Sequence, residues 1–304
     1  MDDASFLQEL APEAERLLER HLSKSKEWFP HELVPWDEAG RHDPRAPWEP
    51  SHVPMDEVVR RALVVNLLTE DNLPYYTSKI LLMFGDDHPW GAWARRWTAE
   101  EGRHSIVIRD YLTVTRSLDP WALERDRMHQ VQAGFHGETL PNAANGFAYV
   151  ALQELATRIS HRNTGDRLED PRGQKVMSRV ANDENYHYVF YRDLVGAALE
   201  VDPSMTVEAI AHQVEVFEMP GTGIPAFKAH ALAIANAGIY DLVIHHDKIL
   251  APCVLRFWKL EALEGLSDTA EKARDRLFAQ MARIKKVGTH LAEKRDARLA
   301  AAPA

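Results

Sequence analysis

Apolar side chains recur every three to four residues through almost the whole chain, and nowhere do they alternate long enough to make a strand. A chain patterned this way must bury helix faces against one another, so the expected fold class is all-α. From Ser5 to Leu22, Leu7, Leu10, Ala14, Leu17, Leu18 and His21 line one face of a first amphipathic helix. Further helices are predicted over about 55–86, 89–117, 119–135, 143–163, 172–200, 205–218, 223–247 and 267–297. Asp-Pro and Pro-Gly pairs such as Asp119-Pro120, Asp202-Pro203 and Pro220-Gly221 punctuate them.

Between the first two helices the periodicity stops. Pro30, Pro35, Pro44, Pro47, Pro50 and Pro54 exclude a helix there, and Trp28, Trp36 and Trp48 argue for a segment packed on the body rather than a linker. No internal repeat, low-complexity tract or linker divides the rest. One domain over 1–304 is expected: 1–54 as helix plus Pro/Trp-rich segment, 55–200 as the central helices, and 201–304 as accessory helices.

Composition narrows the function classes. Lys plus Arg number 36 and Asp plus Glu 46, a net charge of −10, so no broad basic face offers itself to nucleic acid. The single Cys253 excludes an intrachain disulfide framework or a cysteine-cluster metal site. No apolar run approaches the length of a membrane span, and the acidic start lacks a signal or transit character, which leads to the expectation of a cytoplasmic protein.

Two predicted helices carry Glu-x-x-His, at Glu101/His104 and Glu184/His187. Positions i and i+3 share a helix face, so one carboxylate and one imidazole can reach the same ion. With 25 glutamates and 15 histidines in 304 residues, chance supplies roughly one such pair, and a third, Glu49/His52, sits among prolines. Context separates them. Trp93, Trp97, Ile108 and Tyr111 continue the face of the first pair, and Met177, Val180, Tyr191 and Val195 that of the second. Two single acids share the anomaly: Glu70 follows the run Ala62–Leu68, and Glu154 shares a face with Phe147, Val150 and Ala151. Carboxylates are costly to bury unless paired or bound to metal. The order Glu, Glu-x-x-His, Glu, Glu-x-x-His, at separations of 31, 53 and 30 residues, matches the ligand set of a carboxylate-bridged di-iron or di-manganese four-helix bundle. Pro74 cannot donate to the Glu70 carbonyl, so the helix should kink at the first ligand.

These segments resemble the soluble acyl-[acyl-carrier-protein] desaturases, actinobacterial members especially. The likeness runs from about Lys24 to Tyr191 and rests on Trp28-Phe29-Pro30, Thr69-Glu70-Asp71-Asn72, Trp97-Thr98-Ala99-Glu100-Glu101-Gly102-Arg103-His104, Gln153-Glu154-Leu155-Ala156-Thr157 and Asp183-Glu184-Asn185-Tyr186-His187. The resemblance implies a ferritin-like helical bundle, a di-iron four-helix core with additional helices. It also implies two iron ions held by Glu70, Glu101, His104, Glu154, Glu184 and His187, with Glu101 and Glu184 bridging. By the same resemblance Asp183 and Trp28 lie on an electron route through His104, and Thr157 stands beside the oxygen-binding face. The implied reaction is insertion of a cis double bond into a saturated acyl chain on acyl carrier protein, using O2 and two electrons from ferredoxin, by a homodimer. A di-iron hydroxylase shares every ligand, and a ferritin-type iron protein is the reading from a different class.

The chain departs from the family pattern at Gly102, Asn185, Tyr186 and Tyr188, where the family usually has Asn, Lys, Arg and Glu. Altered chain-length or positional selectivity, or an unusual carrier partner, is the expectation at these sites. Lys24, Lys26, Arg172, Lys175 and Arg179 are the candidate cations for an acidic carrier.

Overall fold

The computed structural model describes residues 1–301 except 42, 44, 136–139 and 222, so Pro44 lies outside the described residues. Among them every regular element is helical. Helix α1 (Asp3–Lys24) is capped by Asp2, whose carboxylate accepts from the Ser5 amide at 2.9 Å, and buries Phe6, Leu10, Ala14, Leu17, Leu18 and His21. The Pro-rich stretch then forms three short 3-10 turns, Pro30–Glu32, Trp36–Glu38 and Pro50–His52. Trp28 is buried, and Trp48 donates its indole N–H to the Arg116 carbonyl at 2.8 Å. Trp36 departs from the packed-segment expectation: it is 49% exposed, its N–H satisfied locally by the His31 carbonyl.

The central helices are α2 (Glu57–Glu70), α3 (Leu73–Phe84), α4 (Trp90–Val114), α5 (Pro120–Ala133), α6 (Ala143–Asp166) and α7 (Pro171–Val201). The predicted helix over 55–86 is therefore two helices. The chain breaks at Asp71 and Asn72, where Pro74 leaves the Glu70 carbonyl without its helical partner. Arg127 of α5 grips the Asp71 carboxylate with two bonds, at 2.7 and 2.8 Å, and fixes the break. Helices α6 and α7 pair along most of their length, and α2 and α4 complete the four-helix core.

Outside the core, α1 covers α7 and α4, while α9 (Phe227–Asn236) covers α2. Helix α8 (Pro203–Val216) and the long α11 (Asp268–Ala301) pack together at one side. The predicted helix over 223–247 is a second correction. Gly238, at φ +70°, ends α9, and a new helix, α10, starts after the Asp241 cap and runs over 242–257 in mostly wide π turns. Pro252, with no N–H, sits inside that run. The largest apolar cluster joins α1, α4, α6 and α7 through fully buried Phe6, Trp93, Phe147, Phe190 and Tyr191, and α3 enters it through Phe84. Each such side chain contributes about 1.5–3 kcal/mol by leaving water. No described helix is long and apolar enough to cross a membrane.

Candidate metal centre

Four helices deliver six donors to one point. The last residue of α2 is Glu70; α4 presents Glu101 and His104, α6 presents Glu154, and α7 presents Glu184 and His187. All six are buried, with Glu154, His104 and His187 at 0% exposure. Their donor atoms form two groups, each within 4.8 Å: Glu70, Glu101, His104 and Glu184, and Glu101, Glu154, Glu184 and His187. Glu101 and Glu184 belong to both. The two oxygens of Glu101 divide between the histidines, Oε2 at 3.2 Å from His104 Nδ1 and Oε1 at 2.7 Å from His187 Nδ1.

Glu101 Oε1, Glu154 Oε2, His104 Nδ1 and His187 Nδ1 are all buried with no hydrogen-bond partner. Buried polar atoms in proteins are satisfied almost without exception, so four lone-pair carriers converging unpaired is the pattern of a cation site. Charge points the same way. Four carboxylates carry −4, two protonated imidazoles would return only +2, and two divalent cations with neutral imidazoles return +4. Without a cation the strain is visible in the acids: burial pushes the Glu154 carboxyl well above its ordinary range, and burial with Glu184 beside it raises Glu101. Carboxylates and imidazoles are donors suited to iron or manganese.

The residues around the donors are ordered in two matching halves. His104 Nε2 faces Asp183 Oδ2 at 3.5 Å, and that oxygen accepts from the Trp28 indole at 2.7 Å and from Arg103 at 2.9 Å. On the other side His187 Nε2 faces Glu100 Oε2 at 3.1 Å, and the same oxygen lies 2.8 Å from His21 Nε2. The outer glutamates are held alike: Glu154 Oε1 accepts from the Trp97 indole, and Glu70 Oε1 bonds His161 Nε2, both at 2.9 Å. Thr157 Oγ1 stands 3.1 Å from Glu184 Oε2.

Sequence reasoning singled out Trp28, Thr157 and Asp183 but missed Glu100, His21, His161 and the role of Trp97. One signal was present: His161 follows Glu154 and Thr157 at i+7 and i+4, on one helix face. His21 is 79 residues from Glu100, and no local spacing relates them.

Two hollows flank the donors. One is almost wholly apolar and is lined by Ile80, Met83, Phe84, Trp97, Tyr149 and Val150, with Gln153 also on its wall. The other is lined by Glu70, Thr157, Ser160 and His161 together with Phe227, Ile234 and Tyr240. The loop over 219–221 contributes to both, through Pro220 to the first and Met219 and Gly221 to the second.

The fatty acid desaturase family model matches residues 2–303. The chain belongs to the fatty acid desaturase family. The acyl-[acyl-carrier-protein] desaturase DesA1 of Mycobacterium tuberculosis is 41% identical to this desaturase over 290 residues, spanning 91% of this chain and 84% of the relative. Stearoyl-[acyl-carrier-protein] 9-desaturase 6 of Arabidopsis thaliana is 33% identical over 242 residues, spanning 74% of this chain and 61% of the relative. The crystal structure of the acyl-ACP desaturase DesA2 from M. tuberculosis superposes with a TM-score of 0.69 at 28% identity, covering 88% of this chain and 99% of that one. The desaturase is thus all-α with a ferritin-like helical fold, and an oxidoreductase.

The departures from the family pattern fall away from both hollows. Tyr188 points into the core, its hydroxyl 3.6 Å from Cys253 Sγ. Asn185 and Tyr186 line a surface hollow between α1 and α7, and a side chain added at Gly102 would meet only Leu73, at 3.8 Å. None of the four lines either of these two hollows. Two candidate carrier-binding cations are already engaged. Arg172 pairs with Asp170 and Glu38, and Arg179 pairs with Asp183 at 2.6 Å while lying over the Trp28 ring.

Proposed function

We propose that this chain is an acyl-[acyl-carrier-protein] desaturase that introduces a cis double bond into a carrier-bound saturated acyl chain, consuming O2 and two electrons from ferredoxin. The observation that carries this reading is the convergence of Glu70, Glu101, His104, Glu154, Glu184 and His187 between two hollows, one of them almost purely apolar. The names of the mycobacterial and plant relatives support it.

In this reading Glu70, Glu101, His104, Glu154, Glu184 and His187 would hold two iron ions, Glu101 and Glu184 being common to both donor groups. When bound, the two iron ions supply the O2-dependent oxidation of an unactivated C–H bond that no side chain can perform. The chain's own residues do the rest. Asp183 and Glu100 each face the outer nitrogen of a histidine, which leaves Nδ1 for metal. The apolar walls around Ile80 and Phe84 take the acyl tail and exclude water. Thr157 places a hydroxyl beside Glu184 on the wall of the second hollow, where it can hand on or hold a proton. Trp28, bonded to Asp183 and stacked against His104 at 6.5 Å between centroids, offers electrons a path inward. We further assign 1–304 to one functional unit working as a cytoplasmic homodimer.

Turnover of defined acyl-carrier thioesters with reduced ferredoxin and O2, followed by mass spectrometry, tests this. Loss of two hydrogens is expected, and gain of oxygen would make the enzyme a hydroxylase. Retained metal and activity in Glu154→Ala or His187→Ala would overturn the ligand assignment.

A further inference from the structure

The donor set leaves a second series of oxidisable side chains unused, all on the His187 side. Trp93, 1% exposed and one turn before Trp97, meets the His187 ring edge-on at 6.2 Å. Trp97 meets the same ring at 6.3 Å and bonds Glu154 directly. Apart from Phe190, which stacks on it at 3.6 Å, Trp93 meets the His21 ring at 5.1 Å; His21 also stacks on His187 at 5.9 Å and meets Tyr186 at 6.1 Å. Tyr186 is half-buried on the wall of the hollow between α1 and α7, which it shares with Leu17, Arg20 and Lys24. Ring contacts no longer than 6.2 Å therefore lead from one donor residue, His187, to the surface.

Other tyrosines nearby make poor ends to such a path. A phenol that loses an electron must also lose its proton. Tyr191 is fully buried, its oxygen accepts the Trp93 N–H at 3.0 Å, and burial holds its proton tightly. Tyr188 is 4% exposed and faces Cys253. Only at Tyr186, among these three, does a proton have open access to water.

We propose that Trp93, His21 and Tyr186 form an exit for oxidising equivalents, used when O2 has reacted at the metal pair with no acyl chain in place. Tyr186 releases one electron, which crosses the His21 and Trp93 rings and reduces the O2-derived oxidant by one equivalent. Its phenol proton passes to water in the hollow, leaving a phenoxyl radical at the surface. The external reductant later returns the electron and water returns the proton. The inference rests on the O2-dependent reading above.

The test is iron(II)-loaded protein mixed with O2 and reductant without acyl carrier, frozen rapidly and read by electron paramagnetic resonance. A phenoxyl signal is expected in the native protein, its loss in Tyr186→Phe, and an indolyl signal in Tyr186→Trp. In the same substrate-free cycles Tyr186→Phe should inactivate several-fold faster, with oxygen added at Trp93 in peptide mass spectra, while coupled turnover stays unchanged. Identical signals and identical inactivation in the native protein and Tyr186→Phe would overturn the exit and leave the desaturase reading standing. A protein that consumes no O2 would overturn both.

Discussion

Asp183 and Glu100 occupy equivalent places in the two halves of the centre. Each directly precedes a glutamate shared by both donor groups, and each reaches across to the histidine of the opposite motif, Asp183 to His104 and Glu100 to His187. The carboxylates differ in what holds them from outside: an indole, which only donates, at Asp183, and an imidazole at Glu100.

Removing Glu100 should therefore loosen one end of the centre selectively. Glu100 is 3% exposed and surrounded by His21, His187 and Arg96, the last at 2.5 Å. Glu100→Ala leaves those groups facing an uncompensated cavity and should cost about 3–5 kcal/mol in denaturant unfolding. Affinity for the metal at the His187 end should fall about 10–100-fold. Titration of the metal-free protein with Co(II), followed optically, would resolve one weakened site beside one ordinary site.

Metal itself should stabilise the fold. Free metal at about 100 times its dissociation constant adds about 2.7 kcal/mol per site. Stripping with a chelator should lower Tm, and iron(II) or Co(II) should restore it. His187→Ala should remove about half of that rise, because the donors at its end no longer close around an ion while the His104 group keeps its own.

The apolar hollow should set acyl length through Gly146. A Cβ built there would lie 2.1 Å from Met83 Sδ and 3.1 Å from the Phe84 ring. Met83 is flexible, so Gly146→Ala should fold, but only by pushing the thioether into the hollow that both residues line. Competition between carrier-bound chains of different length should shift toward shorter ones, read as product ratios by gas chromatography.

His245 should make stability depend on pH. Burial, with His246 beside it, lowers its pKa to about 4, below the ordinary histidine value in the unfolded chain. The folded state thus favours neutral imidazole, whose Nδ1 lies 2.9 Å from the Tyr240 hydroxyl. Its contribution is whole above the unfolded value near 6.5 and is lost as pH falls from there toward 4, by up to about 3 kcal/mol. Unfolding curves for the native protein and His245→Gln should diverge in slope across that interval; parallel curves would show that His245 is not the source.

How much of this was written in the sequence depends on how local each feature is. Glu101 and His104 could be paired because one turn of helix sets their spacing, and the order of the four acids fixed which helices must meet. The break at Asp71 was half legible: Pro74 announced a missing bond, but separation into two helices needed Arg127, distant in sequence, to grip the gap. Partners such as His21 with Glu100, and Tyr188 with Cys253, are made by packing between α1, α4, α7 and α10, and no periodicity encodes them. The π turns of α10 were hidden for a similar reason, since their side-chain spacing passes for an ordinary helix until Pro252 and the packing on α11 are considered.

Helix α1 supplies His21 to one half of the centre, and the chain just past its end supplies Trp28 to the other. The N-terminal segment is therefore tied to both donor groups at once. Thermodynamic reciprocity then makes the exchange two-way: whatever seating α1 adds to metal affinity, metal must add to the seating of α1. Amide hydrogens along α1 should exchange more slowly in the loaded protein than in the stripped one, and a proteinase should find this helix first when iron is scarce.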